Sequence, residues 1–255
     1  TQTPHYMGQF PALAFAVHNN HIQEGELIAA RRLGQEDVFS GTDVLGQSLS
    51  GGGHDDKELV GKAITPPEAV AIGRVTIAFG KNEETENADL AQYWNRQEKK
   101  LTSTTSQLIW DYGKRCVEVR TTKTQGVIGF TDQATFELPG VTAQIKTPFV
   151  SLIFTPLDNE NLTSSRKILI TAMARDKQTG SEYSEDWSRL EQIGGPPLLM
   201  EPVQATVRIH GSAPVSVRPL DVYGVPQPRQ VAIESDGSFT IDGSFRAYYY
   251  VVERN

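Results

Sequence analysis

Residues 102–130 read TSTTSQLIWDYGKRCVEVRTTKTQGVIGF, and their patterning decides the fold. Gln107-Leu108-Ile109-Trp110 is apolar and strand-like. Asp111-Tyr112-Gly113-Lys114 is a turn, and Val117-Glu118-Val119-Arg120-Thr121 alternates apolar with polar, as a strand with one wet face does. Thr122-Lys123-Thr124 breaks the pattern again before a third apolar run, Gly126-Val127-Ile128-Gly129-Phe130. Three β segments this closely spaced predict a meander rather than a catalytic loop.

Working outward, the same signature recurs. Phe136-Glu137-Leu138 and Val141–Ile145 flank Pro139-Gly140 as a hairpin, and Phe149–Phe154 and Lys167–Ala174 read as core strands. Toward the N-terminus, Glu26–Leu33 lies between Gly25 and Gly34 and reads as a strand, as does Val70–Phe79. Residues 34–67 carry turn chemistry, with Ser48-Leu49-Ser50-Gly51-Gly52-Gly53 at their centre. Ala88–Gln97 places Leu90, Tyr93 and Trp94 at helical spacing. Pro11 followed by Ala12–Val17 predicts a short helix stopped at Asn19-Asn20. After a Gly/Pro cluster at Gly194–Pro202, the segments Val203–Ile209, Val215–Val217, Gln230–Ile233, Ser238–Ile241 and Tyr248–Val252 read as short strands. The expectation is a mainly β chain: an antiparallel β-sandwich over 23–200, a short N-terminal helix within 1–22 and a small C-terminal β domain over 201–255.

The 102–130 stretch resembles a pattern near the C-terminus of multi-domain bacterial glycoside-hydrolase-like proteins, after their (β/α) barrel. That pattern runs T-S-D-T-G-E-x-x-W-D, a turn, a strand, T-P-R-T-Q and G-x-x-G-F. Its counterparts here are Thr102-Ser103-Thr104-Thr105-Ser106-Gln107, Trp110-Asp111, Thr121-Thr122-Lys123-Thr124-Gln125 and Gly126–Phe130. Thr104 and Ser106 replace its Asp and Gly, and Thr122-Lys123 its Pro-Arg, so a ligand held through those groups would lose them here. The likeness continues into Ser151–Leu169 and Gly194-Gly195-Pro196-Pro197. It implies a β-sandwich beside a barrel, with the catalytic carboxylates elsewhere, a catalytic barrel domain as partner, and a secreted or periplasmic location. Residues 1–22 then read as a barrel remnant whose apolar face wants a partner, and the start at Thr1 as a mature or excised fragment.

Composition narrows the classes. A net charge of −7 argues against nucleic acid as a partner. No apolar run approaches the roughly 20 residues that cross a bilayer, and no basic segment precedes Ala12–Val17 as in a signal peptide. The single cysteine, Cys116, excludes an internal disulfide and reads as a small buried hydrophobe. There is no G-x-S-x-G, phosphate loop, dinucleotide fingerprint or H-E-x-x-H.

Candidate polysaccharide- or oligosaccharide-binding residues are aromatic, because sugar rings lay their C–H faces on flat side chains. Trp187 and Tyr183, with Glu185 beside them, occupy a polar loop after a core strand; the competing reading is a Trp folded back over the sandwich edge. Trp94, beside Tyr93, is either a further platform or the buried face of the predicted helix, and Trp110 reads as core. His18, His21, His54 and Asp55-Asp56 contain zinc-ligand types, but nothing fixes them together. Calcium suits the oxygen-rich turns Asp158–Asn161 and Ser235-Asp236-Gly237, which Asx turns explain equally without an ion. The leading expectation is therefore a non-catalytic accessory sandwich with no cofactor. The alternatives are a glycoside hydrolase acting through an acidic pair, which needs two carboxyls roughly 5–10 Å apart, and a structural or protein-interaction module docked through its first helix.

Overall fold

A computed structural model describes residues 7–34, 65, 68–80, 84–185 and 189–255. The chain divides into two compact units, Gln23–Gly113 and the combination of Thr1–Ile22 with Lys114–Asn255. Helix α1, Phe10–His18, has Pro11 in its first turn, where the missing N–H costs nothing. It ends as predicted: the N–H of Asn19 returns to the Phe15 carbonyl, and Asn20 takes the left-handed conformation (φ 53°) that Asn tolerates.

In the unit of Gln23–Gly113, β1 (Leu27–Leu33) is central to a small mixed sheet. Helix α2 (Ala69–Ile72) leads into β2 (Arg74–Phe79), which pairs parallel with β1, while β3 (Glu84–Asn87) pairs antiparallel on its other side. The predicted strand over Val70–Phe79 thus starts as helix over Val70–Ile72 and is strand only from Arg74. Gly73 separates the halves, and a Cβ there would stand 2.6 Å from the Glu26 carbonyl and 2.5 Å from Ile28. The predicted helix over Ala88–Gln97 is instead a turn followed by β4 (Trp94–Asn95). Local side chains win there: Asp89 accepts from the Ala91 N–H and Asn95 from the Glu98 N–H, giving the backbone partners that a helix would otherwise supply. β4 continues into a meander with β5 (Lys100–Thr102) and β6 (Leu108–Asp111). The apolar residues of the misread segment still pack as expected, with Leu90, Tyr93 and Trp94 against a core of Ile28, Ala69, Ile72 and Leu101.

The second unit is an antiparallel β-sandwich. Its strands are β7 (Cys116–Arg120), β8 (Gln125–Phe130), β9 (Thr135–Leu138), β10 (Val141–Ile145), β11 (Phe149–Pro156) and β12 (Lys167–Met173). Two short ribbons follow, made by β13 (Asp176–Thr179) with β16 (Gly195–Met200) and by β14 (Glu182–Tyr183) with β15 (Leu190–Gln192). β17 (Ala205–Ile209), β18 (Pro214–Pro219), β19 (Phe239–Ile241) and β20 (Tyr249–Arg254) complete it. One sheet runs β18-β20-β12-β11-β8-β7 and the other β19-β17-β10-β9. Strands before and after Gly194–Pro202 therefore share both sheets. Gln230–Ile233, expected as a strand, forms no ladder: it makes the bridge from Ile233 to Phe239 and one bond from the Val231 N–H to the Val217 carbonyl, and Pro226 and Pro228 just before it supply no N–H.

The alternation read from the sequence faces the sheets toward one another. Val150, Leu152, Phe154, Ile168, Ile170 and Tyr250 from the first sheet meet Val141, Ala143, Ile145, Val207, Phe239 and Ile241 from the second in one core. Cys116 is buried in it. Buried Gln125 joins β8 to the β9–β10 turn, donating to the Thr121 carbonyl and accepting from the Gly140 N–H. The first sheet is covered on its other face too. Ile153, paired through Thr171 to Tyr249, points away from the sandwich core yet is 1% exposed. Helix α1 packs on β11, and the Tyr249 hydroxyl donates to the Gly8 carbonyl at 2.8 Å. Tyr249 and Tyr250 thus face opposite ways, as the period of a strand requires.

Candidate functional site

Tyr183 pairs with Leu190 in the β14–β15 ribbon and is half-buried, with Glu185 exposed just beyond it. Trp187 lies outside the described residues, so the platform predicted for this loop is represented by Tyr183 and Glu185 alone. His54, Asp55, Asp56 and the glycine patch at 48–53 also lie outside them.

Trp94 carries the most complete surroundings. The period-two geometry of β4 and the residue after it puts Trp94 and Arg96 on one side, and the guanidinium stacks 4.3 Å from the indole centre. The indole N–H donates to the Tyr112 hydroxyl at 3.1 Å, which fixes the ring plane. Tyr112 in turn meets Trp110 edge-on at 6.1 Å. Trp110 was expected in the core, but it is 36% exposed: Leu101 sits between it and Trp94 in the cross-strand row and takes the buried position. The result is a row of three aromatic rings, two held by named contacts. Beside it Trp94, Arg96, Leu90, Ala91, Glu68 and Asp89 line a cavity of about 600 Å³. Such a lining offers an apolar ring face, a fixed donor fork and two carboxylate acceptors. The sequence reading named Trp94 but not Arg96, Glu68 or Asp89. The W-x-R spacing is a local signal for the first, and Asp89 lies in the same stretch five residues before Trp94; Glu68 comes from a separate segment and had no local signal.

The remaining candidates are engaged within the fold. His21 is 3% exposed, with Nδ1 2.8 Å from the Thr124 hydroxyl and Nε2 3.2 Å from Asn159 Oδ1. Burial holds its pKa below the ordinary value, Lys123 adds to that, and the bond to Asn159 opposes it. Asn159 Oδ1 also accepts from the Lys123 ammonium at 2.6 Å. Asp158 accepts from the backbone N–H groups of Arg166 and Glu160. Burial would raise its pKa, but these bonds and one from Ser165 outweigh that and keep it low. Asp236 accepts from both the N–H and the hydroxyl of Ser238, which lowers its pKa, with Arg208 assisting. Both oxygen-rich turns are thus organised by protein donors. Among the described residues, no three His, Cys, Asp or Glu side chains gather as a metal site, and no helix is long and apolar enough to cross a membrane.

Comparison with protein-family models, with curated proteins and with solved structures gives no match.

Proposed function

We propose that this chain is a non-catalytic accessory β-sandwich region of a secreted or periplasmic carbohydrate-active protein, holding polysaccharide or oligosaccharide or supporting a catalytic barrel. The cavity at Trp94 is the observation that supports this reading best. Its indole is braced by Arg96 and Tyr112, with Glu68 and Asp89 beside it. A pyranose presents C–H patches on the faces of its ring and hydroxyls around its rim. An aromatic face suits the first, while an arginine and carboxylates suit the second. Calorimetric titration of the whole chain with neutral oligosaccharides tests the reading, with pull-down on insoluble polysaccharides beside it. Trp94→Ala is expected to weaken binding roughly tenfold or more, the equivalent of losing one buried aromatic face. Heats equal to buffer across the panel, with nothing retained on the insoluble glycans, would leave only the supporting role.

The same cavity favours one alternative. Glu68 and Asp89 are two carboxyls that line one concave surface, and hydrolysis by an acidic pair needs two such groups roughly 5–10 Å apart across the sugar. Release of reducing ends by the wild-type chain, abolished in both Glu68→Gln and Asp89→Asn, would replace the binding role with a catalytic one.

A further inference from the structure

The sandwich unit contains a second concave surface, of which the sequence marked only the Asp236-Gly237 turn. Arg208, His210, Gly211, Asp236 and Gly237 surround a cavity of about 380 Å³ between the β17–β18 turn and the turn before β19. Both walls are backbone turns. Gly211 has φ +96°, and a Cβ there would lie 2.0 Å from the Thr163 carbonyl, so the chain passes where only glycine fits. The opposite wall is the Asp236 turn, closed by Ser238.

His210 is held in one tautomer by a relay. Thr142 has a single hydroxyl proton and donates it to Glu137 Oε2 at 2.6 Å. Its oxygen lies 3.0 Å from His210 Nε2 and so must accept, which makes Nε2 the protonated nitrogen. Among the described residues, Nε2 is the ring nitrogen that is engaged, and Nδ1 has no hydrogen-bond partner. The backbone N–H of His210 is tied to the Gly140 carbonyl at 2.9 Å, so the main chain of the residue is held as well as its ring.

The lining therefore combines a guanidinium, a carboxylate and an imidazole whose Nε2 is already engaged. A single anion would meet Asp236 as well as Arg208, and a single cation the reverse. A neutral polyol has no such conflict, since each hydroxyl both donates and accepts. We infer that the cavity at Arg208, His210 and Asp236 is a binding site for a neutral polyhydroxylated ligand, a sugar ring or chain end. It is separate from the Trp94 cavity and independent of the function proposed for it.

Nitrogen-15 NMR titration of the whole chain with neutral gluco-, manno- and xylo-oligosaccharides tests the assignment, with inorganic sulfate as the anionic probe. The amides of Arg208, His210, Gly211 and Gly237 should shift with at least one neutral sugar. Arg208→Gln is exposed and outside the core, and should weaken that event roughly tenfold. Thr142→Val does not alter the lining but releases the His210 tautomer, and should weaken it too. Trp94→Ala should leave this event unchanged, which separates the two sites. Shifts with sulfate but with no sugar, shifts with nothing, or equal sugar affinity in Arg208→Gln would each overturn the assignment.

Discussion

At the scale of a residue, His21 shows how burial turns a side chain into a pH-sensitive fastener. Its neutral ring satisfies both neighbours, accepting from the Thr124 hydroxyl and donating to Asn159. A proton on Nδ1 would remove the acceptor and set a second positive charge near Lys123, while Phe15 packs edge-on against the ring. Because the folded pKa lies below the ordinary 6.5, the unfolded ring takes up its proton first as pH falls. The stability that His21 contributes is therefore complete above about pH 6.5 and is lost through the window beneath it. Urea midpoints of wild type and His21→Gln, measured from pH 7.5 down to 5, check this. The wild-type midpoint should fall more steeply, and parallel curves would refute the assignment. The sequence showed His21 only as half of a weak metal motif. Its true partners lie 103 and 138 residues away, a distance that no local pattern spans.

At the scale of an element, α1 was legible because its signals are local: Pro11 in the first turn, an alanine-rich run and Asn19-Asn20 at the end. Ala12 and Ala16, four apart, are fully buried where the helix meets the sheet, whereas Val17 is 66% exposed. The close approach depends on small side chains. Ala16→Leu should cost about 1–3 kcal/mol by overpacking, while Val17→Lys should stay within roughly 0.5 kcal/mol of wild type. Denaturant unfolding of the two variants distinguishes them; equal effects would mean that α1 is not seated as described. Strands with clear alternation, such as β7, β8 and the β9–β10 hairpin, were legible for the same local reason. Val70–Phe79 was not, because Gly73 is read from sequence as a tolerated interruption when a neighbouring backbone makes it a boundary. The parallel pairing of β1 with β2 left no trace at all, since a strand's partner is chosen by tertiary contacts.

At the scale of the molecule, the sandwich is built from strands far apart in sequence: β10 pairs with β17 and β12 with β20. Loop closure must precede the burial that rewards it, so refolding should be slow, in milliseconds to seconds rather than microseconds. Stopped-flow tryptophan fluorescence after dilution from urea checks this, and completion within the instrument's dead time would contradict it. The sandwich class was readable from strand density, but the two cavities were not. Each is assembled from side chains on segments that become neighbours only when the chain closes. The bond from Tyr249 to Gly8 carries this furthest. A ribosome delivers Gly8 earlier than Tyr249 by 241 residues, an interval on the order of tens of seconds at ordinary elongation speeds. Throughout that interval the greasy first helix has no finished berth, which makes it a natural handhold for chaperones during synthesis.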